Sequence, residues 1–366
     1  MCADEDPLAV DEHAQDDTDA DSAIGDDNAS DTTSLRSSIL RYREENGRTY
    51  HAYKDGAYAL PNDEIENERL DLQHHLFLLT FDERLHTAPL PKTLNRAFDA
   101  GCGTGIWAIE FGESLLSLFW CSSKLLCFLA LRGKLHTDEH DANKLTTDEH
   151  PECEVIGVDL SPIQPSAIPP NASFYVDDLE ESWDYSNKFD FVFARFLTGS
   201  ILDWPKFFSE SYKNLNPGGR IEMIDIIYPL LSDDGTLTKD SALSKWSELL
   251  HDIFTKNGRG MDSALKYKDQ LEEAGFVDVN IVKRKWPLNR WPKDPKHKQI
   301  GTWAQQNTLD ALAALSLAVF TRPDGQGGLG WSKEEVEVFL TDVRKDIKNV
   351  NIHSYWPIWS VYATKP

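Results

Sequence analysis

Apolar residues in the middle of the chain follow two different periods, one typical of strands and one typical of helices. Short apolar and β-branched runs predict five strands, at Arg96 to Ala100, Val155 to Asp159, Ser173 to Val176, Phe189 to Ala194 and Arg220 to Ile226. Apolar residues at helical spacing predict helices at Ile106 to Phe111 and at Trp204 to Leu215. Strands that alternate with helices are typical of an α/β fold, in which helices cover both faces of a mostly parallel sheet.

Further elements are predicted on either side of this sheet. An amphipathic helix is expected from Asp63 to Leu79, so residues 34–92 are predicted to form a helical cap on a main domain of residues 93–366. A turn at Pro217 to Gly219 is expected before the fifth strand. After that strand the pattern predicts helices at Lys239 to Thr255, Leu265 to Ala274, Lys298 to Phe320 and Ser332 to Asn349, with a strand at Val277 to Trp286. The last segment, Ile358 to Ala363, is predicted to close the sheet as an antiparallel edge strand.

Negative charge is concentrated at the beginning of the chain. The formal net charge is -24, and twelve acidic side chains lie between Asp4 and Asp31, before the first basic residue, Arg36. Such a segment buries too little apolar surface to offset its ordering entropy, so residues 1–33 are predicted to be a disordered acidic tail. An acidic protein lacks the positive surface that nucleic-acid binding needs, so direct contact with DNA or RNA is not expected.

The cysteines and the N-terminal sequence indicate the cellular compartment of the protein. Five scattered cysteines fit neither a disulfide framework nor the spacing of a metal site. The chain begins without the basic and apolar regions of a signal peptide. We therefore expect a cytoplasmic or nuclear protein with reduced thiols and no bound metal.

A glycine-rich turn after the first strand of the sheet is the main candidate site. Its residues are Asp99, Gly101, Cys102, Gly103, Thr104 and Gly105. Glycines allow positive φ and close approach of a ligand, and the N–H groups that open the next helix bind polar or anionic atoms. The spacing resembles motif I of class I methyltransferases, which bind S-adenosylmethionine (SAM). Because Gly103 to Ala108 also fits the GxGxxA fingerprint of dinucleotide-binding proteins, the turn alone leaves both cofactors open.

Acidic residues at the ends of the next two strands complete the predicted cofactor site. Asp159 ends its strand, followed by Leu160, at a place where a carboxylate can accept both ribose hydroxyls. The alternative role for Asp159 is to cap the turn that follows it. Asp177 and Asp178 follow the third strand, where an acid can accept the adenine amino group, and the alternative is that they are simple loop acids. Only the methyltransferase interpretation requires acids at this second place.

One segment lengthens the spacing between these motifs. A ribose acid normally follows the glycine turn by about 20 residues, whereas Asp159 lies 54 positions after Gly105. Residues 114–147 account for the excess, with an apolar run followed by two near-copies of one phrase. A lysine within the run argues against a membrane helix, so we interpret the segment as a surface insertion or as a gene-model artefact such as a translated intron. His136, His140 and His150 are expected in a solvated loop rather than in a metal site.

Three phrases of the sequence point to one protein family, namely Phe98 to Ala108, Val155 to Pro165 and Phe193 to Ser200. Together they resemble the fungal LaeA-like methyltransferases, a group that includes regulators of secondary metabolism. The resemblance covers roughly residues 34–366 apart from the insertion. It implies a class I, Rossmann-like fold with a seven-stranded sheet, SAM as the methyl donor, and a nuclear or cytoplasmic setting. It leaves the methyl acceptor unidentified, as a small molecule or a protein.

The sequence alone does not identify a catalytic residue. Methyl transfer is a displacement at a sulfonium, and a general base is needed only if the acceptor loses its proton early. His74 and His75 on the predicted N-terminal helix are the candidate bases, although a helix histidine also serves in packing. Arg195, just past the fourth strand, is expected at the edge where open α/β sheets bind ligands, and we assign it to the site.

Three functions are compatible with these features. The favoured one is a working methyltransferase, in or regulating fungal secondary metabolism. The second is a regulatory subunit that keeps the cofactor site and acts through a protein partner, an alternative that the acidic tail and the long C-terminal helices keep open. The third is a nicotinamide-dependent oxidoreductase, which the shared glycine turn permits.

Overall fold

A computed structural model describes residues 7–11, 41–45, 47–54, 56, 58, 60–91, 94–112 and 152–366. Most of the predicted acidic tail lies outside these residues, and so does the whole of the predicted insertion, 114–147, with its histidines. Pro7 to Asp11 are an exception to the predicted disorder. Asp11 N donates to Trp291 O at 2.7 Å, and Lys293 N donates to Ala9 O at 2.6 Å.

A seven-stranded sheet forms the centre of the described structure. A short hairpin, β1 (Arg43–Glu45) and β2 (Arg48–Tyr50), precedes it. The strands of the sheet are β3 (Arg96–Ala100), β4 (Glu154–Asp159), β5 (Ala172–Val176), β6 (Phe189–Arg195), β7 (Leu215–Ile226), β8 (Val277–Pro287) and β9 (Tyr355–Thr364). Their order is β5-β4-β3-β6-β7-β9-β8, and β9 runs antiparallel to both of its neighbours while the other pairs are parallel.

The prediction that the last strand forms an edge is wrong. β9 lies between β7 and β8, and β8 is the edge strand on this side of the sheet. The burial of β9 gives the reason. Seven of its ten residues are buried, and the remaining three are only partly exposed. Such a continuous apolar run is typical of a central strand that pairs on both sides.

The turn predicted at Pro217 to Gly219 also differs from the structure. β7 begins already at Leu215, directly after a helix, and its register against β6 shifts between Phe189 and Phe191. Gly218 has a φ of 79°, so a glycine absorbs this irregularity within the strand.

Seven helices cover the two faces of the sheet in the described residues. They are α1 (Glu64–Thr80), α2 (Ile106–Gly112), α3 (Trp204–Asn214), α4 (Ala242–Lys256), α5 (Tyr267–Glu273), α6 (Pro295–Phe320) and α7 (Lys333–Lys348). Short polar side chains begin five of them by accepting a backbone N–H, as the N-cap rule expects. These N-cap residues are Asp63, Asp203, Ser241, Asp294 and Ser332.

The apolar core lies on both faces of the sheet because successive side chains of each strand point to opposite faces. On β6, Phe191 and Phe193 pack into a cluster with α1, α2, α4, α6 and α7. Val192 and Ala194 pack into the opposite cluster with α3 and α5.

The predicted N-terminal helix packs against the C-terminal helices. α1 contacts α6, and a buried ion pair lies in this contact. Arg69 donates to both carboxylate oxygens of Glu66, at 2.9 and 2.6 Å, and to Asn307 Oδ1 at 2.8 Å. The helix is therefore fixed in one position over the sheet.

Candidate functional site

The glycine turn after β3 lies tightly against its neighbours. Gly101, Gly103 and Gly105 have φ values of 73°, 55° and 78°. A Cβ at Gly101 would lie 2.5 Å from the side chain of Leu197, and one at Gly105 would lie 2.6 Å from that of Phe174. Glycine is therefore favoured at these two positions by its positive φ, and a Cβ there would force the neighbouring side chain to shift.

Asp159 connects the end of β4 to this turn. Its Oδ2 accepts from Gly103 N and its Oδ1 from Ser161 N, both at 2.9 Å. Gln164 strengthens the same contact by donating from Nε2 to Gly103 O at 2.7 Å. Burial raises the pKa of Asp159, while the backbone donors oppose that rise. A carboxylate has about four lone-pair sites, so both oxygens can each accept a further hydrogen bond from a ligand.

The predicted cofactor residues meet in one pocket at the carboxyl edge of β3, β4, β5 and β6. Those that line it are Asp99, Gly101, Cys102, Gly103, Thr104, Asp159, Leu160, Asp177, Asp178 and Arg195. Gly105 does not line the pocket, since it directly precedes α2 and packs against Phe174. This is the edge at which open α/β sheets bind ligands.

Residues of α1, and one just before it, cover this pocket and were not predicted from the sequence. Asn62, Glu66, Leu70 and Gln73 all line it. Glu66, Leu70 and Gln73 are spaced by four and three residues, so they share one face of the helix, and Asn62 lies two positions before the helix begins. At 1.5 Å per residue, Glu66 to Gln73 span about 10 Å along the pocket. The signal was present in the sequence, as polar residues at helical spacing among the apolar ones.

The loop after β6 forms another wall that the sequence analysis did not assign beyond Arg195. Phe196, Leu197, Ser200 and Ile201 line the pocket there. Phe196 has a φ of 60°, an unfavourable conformation for a bulky side chain. Asp225 on β7 helps to hold this wall by accepting from Thr198 N at 2.9 Å.

Asp99 and Arg195 place opposite charges at one end of the pocket. Asp99 is 3% exposed, and burial raises the pKa of its carboxyl to about 7, with Arg195 opposing the rise. Burial lowers the pKa of the Arg195 guanidinium to about 10, with Asp99 opposing the fall. At neutral pH the arginine is charged and the aspartate is close to its titration point.

The structure does not bring His74 or His75 into the lining of the pocket. His74 is buried behind it, with Nδ1 2.9 Å from Arg195 Nη2 and Nε2 2.9 Å from Glu110 Oε2. His75 meets Trp303 edge-on, with ring centroids 5.4 Å apart, and burial lowers its pKa to about 4. His74 therefore contacts a pocket residue, whereas His75 packs between helices.

Three residues that line the pocket each have a buried polar atom without a hydrogen-bond partner within the described ranges. These atoms are Asp99 Oδ2, Asn62 Nδ2 and Gln73 Nε2. Buried polar groups in proteins are nearly always paired, because an unpaired one costs about 1–3 kcal/mol. An acceptor and two donors in one pocket are thus left to a ligand or to solvent.

Two further properties of the described residues bear on the site. No helix in the described part of the chain has the length and apolar character needed to cross a membrane. Within the same ranges, no three or more His, Cys, Asp or Glu side chains are grouped so that they could hold a metal ion.

The sheet order, with an antiparallel strand inserted beside the edge, and the glycine turn beside Asp159 define a class I methyltransferase. A family model described as a methyltransferase domain matches residues 72–281. The chain belongs to this methyltransferase family and uses SAM as its methyl donor. Family membership therefore decides between the two cofactors that the glycine turn alone left open.

Curated relatives support this assignment over nearly the whole chain. Methyltransferase pytC of Aspergillus terreus is 36% identical over 340 residues, which are 93% of either chain. Secondary metabolism regulator LAE1 of Cochliobolus heterostrophus is 33% identical over 329 residues, 88% of this chain and 94% of that protein. Protein-methionine methyltransferase laeA of Emericella nidulans is 32% identical over 331 residues, 89% of this chain and 77% of that protein.

The residues of the pocket fit the chemistry of this cofactor. SAM carries ribose hydroxyls and an amino group as donors, and a carboxylate as an acceptor. The pocket offers the unpaired acceptor of Asp99 and the unpaired donors of Asn62 and Gln73. Gly101 and Gly103 line the pocket and carry no side chain, so a ligand can approach the backbone of the turn closely.

Proposed function

We propose that this enzyme transfers the methyl group of SAM to a small-molecule acceptor in fungal secondary metabolism. The observation that carries the proposal is a single pocket, lined by the ends of four strands and covered by one face of α1. The cofactor residues in this proposal are those of the glycine turn together with Asp159, Leu160, Asp177, Asp178 and Arg195.

Each part of the pocket has a role in this proposal. Asp159 accepts the ribose hydroxyls with the lone pairs that its two backbone donors leave free. Asp177 and Asp178, at the end of β5, accept the adenine amino group. The glycine turn and Arg195 receive the amino-acid end of the cofactor.

The protein's contribution to the reaction is alignment and exclusion of water. Bound SAM supplies an activated methyl group on a sulfonium. The walls formed by α1 and by the loop after β6 hold the acceptor against it, and such positioning can lower a barrier by about 7–11 kcal/mol. No histidine lines this pocket within the described residues, so we do not assign a histidine base. Acceptors whose reacting atom needs no early deprotonation are favoured.

A small molecule is favoured as the acceptor over Met223 and Met261, the two methionines within the described residues. One relative is named as a protein-methionine methyltransferase. In this chain Met223 is fully buried in the core and Met261 is 5% exposed, and neither lines the pocket. We place the reaction in the cytoplasm or the nucleus, which agrees with the free thiols of Cys102 and Cys153.

Two measurements on the purified chain test the proposal. The first is calorimetric binding of SAM and S-adenosylhomocysteine (SAH), with NAD as a competitor. The second is mass spectrometry of fungal metabolite extracts incubated with SAM and enzyme, where the acceptor gains one methylene unit. We expect binding that NAD does not displace, and at least one methylated metabolite. Failure of folded protein to bind SAM or SAH would overturn the proposal. Binding without any transfer would favour the regulatory subunit that acts through a protein partner.

A further inference from the structure

Gln73 has the properties of a ligand-binding residue that the motifs do not include. It lies on the pocket face of α1 and is 4% exposed. Its Nε2 has no hydrogen-bond partner in the part of the chain that the structure describes. A buried amide donor in this state is stable only if a bound molecule or solvent accepts from it.

Arg195 brings a positive charge to the same end of the pocket. Its Nη2 is bound to His74, the residue that follows Gln73 on α1. Its guanidinium also lies 4.8 Å from the ring centroid of Phe77. A guanidinium has five N–H donors in a planar fork, a geometry that suits a carboxylate.

Asp99 adds the opposite charge at this end. Asp99 lines the pocket, and its buried Oδ2 has no partner among the described residues. Two kinds of donor and one anionic acceptor complement a zwitterion, which carries a carboxylate and an ammonium on one carbon. The amino-acid end of SAM is such a group.

We propose that Gln73 and Arg195 together bind the α-carboxylate of the cofactor, and that His74, held by Glu110, is a positioning residue for Arg195. This inference rests on the proposed function, because it requires SAM in this pocket. It gives Gln73 a binding role, and it gives His74 a role other than that of a general base.

The contacts of His74 define what it does. Arg195 Nη2 can only donate, so His74 Nδ1 accepts from it. His74 Nε2 then carries the proton and donates to the Glu110 carboxylate at 2.9 Å. Both ring nitrogens are occupied, and the imidazole holds the guanidinium in place from behind the pocket wall.

Three ligands of the unmodified protein test the carboxylate contact without any substitution. They are SAH, decarboxylated SAH, which keeps the aminopropyl group, and 5′-methylthioadenosine, which lacks the amino-acid end. We expect decarboxylated SAH to bind about 10- to 100-fold more weakly than SAH in calorimetry, the effect of a lost charge-assisted contact. Equal affinities for these two ligands would overturn the inference. Binding of none of the three would instead overturn the proposed function.

Variants assign the effect to residues. In Gln73→Met and in Arg195→Met the difference between SAH and decarboxylated SAH should shrink to a few-fold, while the affinity for methylthioadenosine stays unchanged. Gln306→Met is the matched control, since Gln306 lies on α6, is partly buried and does not line the pocket. This control should keep the full difference between the ligands. A full difference in Gln73→Met would remove Gln73 from the inference.

His74 needs a measurement that separates positioning from folding. His74→Leu should weaken SAH about tenfold and leave methylthioadenosine unchanged, because only the carboxylate contact depends on Arg195. A purely structural role would weaken both ligands and lower the ligand-free unfolding temperature. Equal loss for both ligands would contradict the positioning role, even if Gln73 and Arg195 behave as expected.

Discussion

The two sides of the pocket are built in different ways. The first side, which we call the floor, consists of residues 101–105 of the glycine turn and the residues from Asp159 to Gln164. Its polar groups bind one another, since Asp159 accepts from Gly103 N and Ser161 N, and Gln164 donates to Gly103 O. The second side, the roof, is the face of α1 with Glu66, Leu70 and Gln73, together with Asn62 just before the helix. It presents two amide donors without partners in the described residues and one buried ion pair.

Because of this difference, one side of the pocket sets its shape and the other side recognises the ligand. The floor is rigid before any ligand arrives, because its hydrogen bonds are satisfied internally. The roof keeps unpaired donors, which is costly in the free protein and becomes favourable only when a ligand accepts from them. We infer that the floor fixes where the nucleotide lies, and that the roof adds selectivity for the rest of the ligand.

The largest effect is expected from breaking the ion pair that holds the roof. Glu66 and Arg69 are 2% and 3% exposed, and Arg69 also donates to Asn307. Arg69→Met would leave a buried carboxylate unpaired, at a cost of about 3–5 kcal/mol in the free energy of unfolding. Urea denaturation measures this loss. Arg344→Met, which breaks a 3.5 Å pair with Glu337 at the surface, should cost less than about 1 kcal/mol. Equal losses in the two variants would mean that the ion pair does not hold the roof.

The next effect concerns the floor. Asp159→Ala removes the acceptor for two backbone N–H groups and for the ribose hydroxyls. We expect SAH to bind about 100-fold more weakly, since each charge-assisted hydrogen bond contributes about 1.5–3 kcal/mol. Calorimetry gives the affinity, and Asp184→Ala, at an exposed position outside the pocket, should leave it unchanged. If Asp159→Ala loses only a little affinity for SAH, then the roof rather than the floor recognises the nucleotide.

The floor could be predicted from the sequence and the roof could not, for a physical reason. The turn and Asp159 owe their geometry to local requirements, positive φ at glycines and a carboxylate at a strand end, which leave a direct trace in the residue types. The direction in which α1 faces depends on its packing against α6, some 230 positions later, through contacts such as Arg69 with Asn307. The sequence predicted the helix but not its orientation. It likewise predicted β9 but not its place in the sheet, because the pattern of apolar residues in a strand does not show which strands it pairs with.

A smaller effect should appear in the pH dependence of binding. Burial raises the pKa of Asp99 to about 7 in the free protein, with Arg195 opposing this. Only the ionised carboxylate pairs with the ammonium of SAH, so the affinity should rise about tenfold from pH 6 to pH 8 and level off above the pKa. Below pH 7, binding should release a proton, which calorimetry in buffers of different ionisation enthalpy detects.

Two variants separate Asp99 from other acids in this pH dependence. Asp99→Asn should give a flat profile. Asp225→Asn should keep the rise, because the pKa of Asp225 is also raised to about 7 by burial but this residue does not line the pocket. If the rise in affinity is instead kept in Asp99→Asn and lost in Asp225→Asn, then the affinity depends on the titration of Asp225 in the core, transmitted through the loop after β6.

The smallest effect tests whether floor and roof act together. Thr104 Oγ1 in the glycine turn donates to Asp71 Oδ1 on α1 at 2.9 Å, which is a direct hydrogen bond between the two sides. Thr104→Ala should lower the free energy of unfolding by about 1 kcal/mol or less, as for a hydrogen bond near solvent. If the roof needs this contact to stay in register with the floor, SAH should weaken a few-fold more than methylthioadenosine, since Gln73, one of the two residues proposed to bind the carboxylate, belongs to the roof. Thr104→Ser keeps the hydroxyl and should restore both affinities. An equal, small loss for both ligands would show that the roof keeps its position without this hydrogen bond.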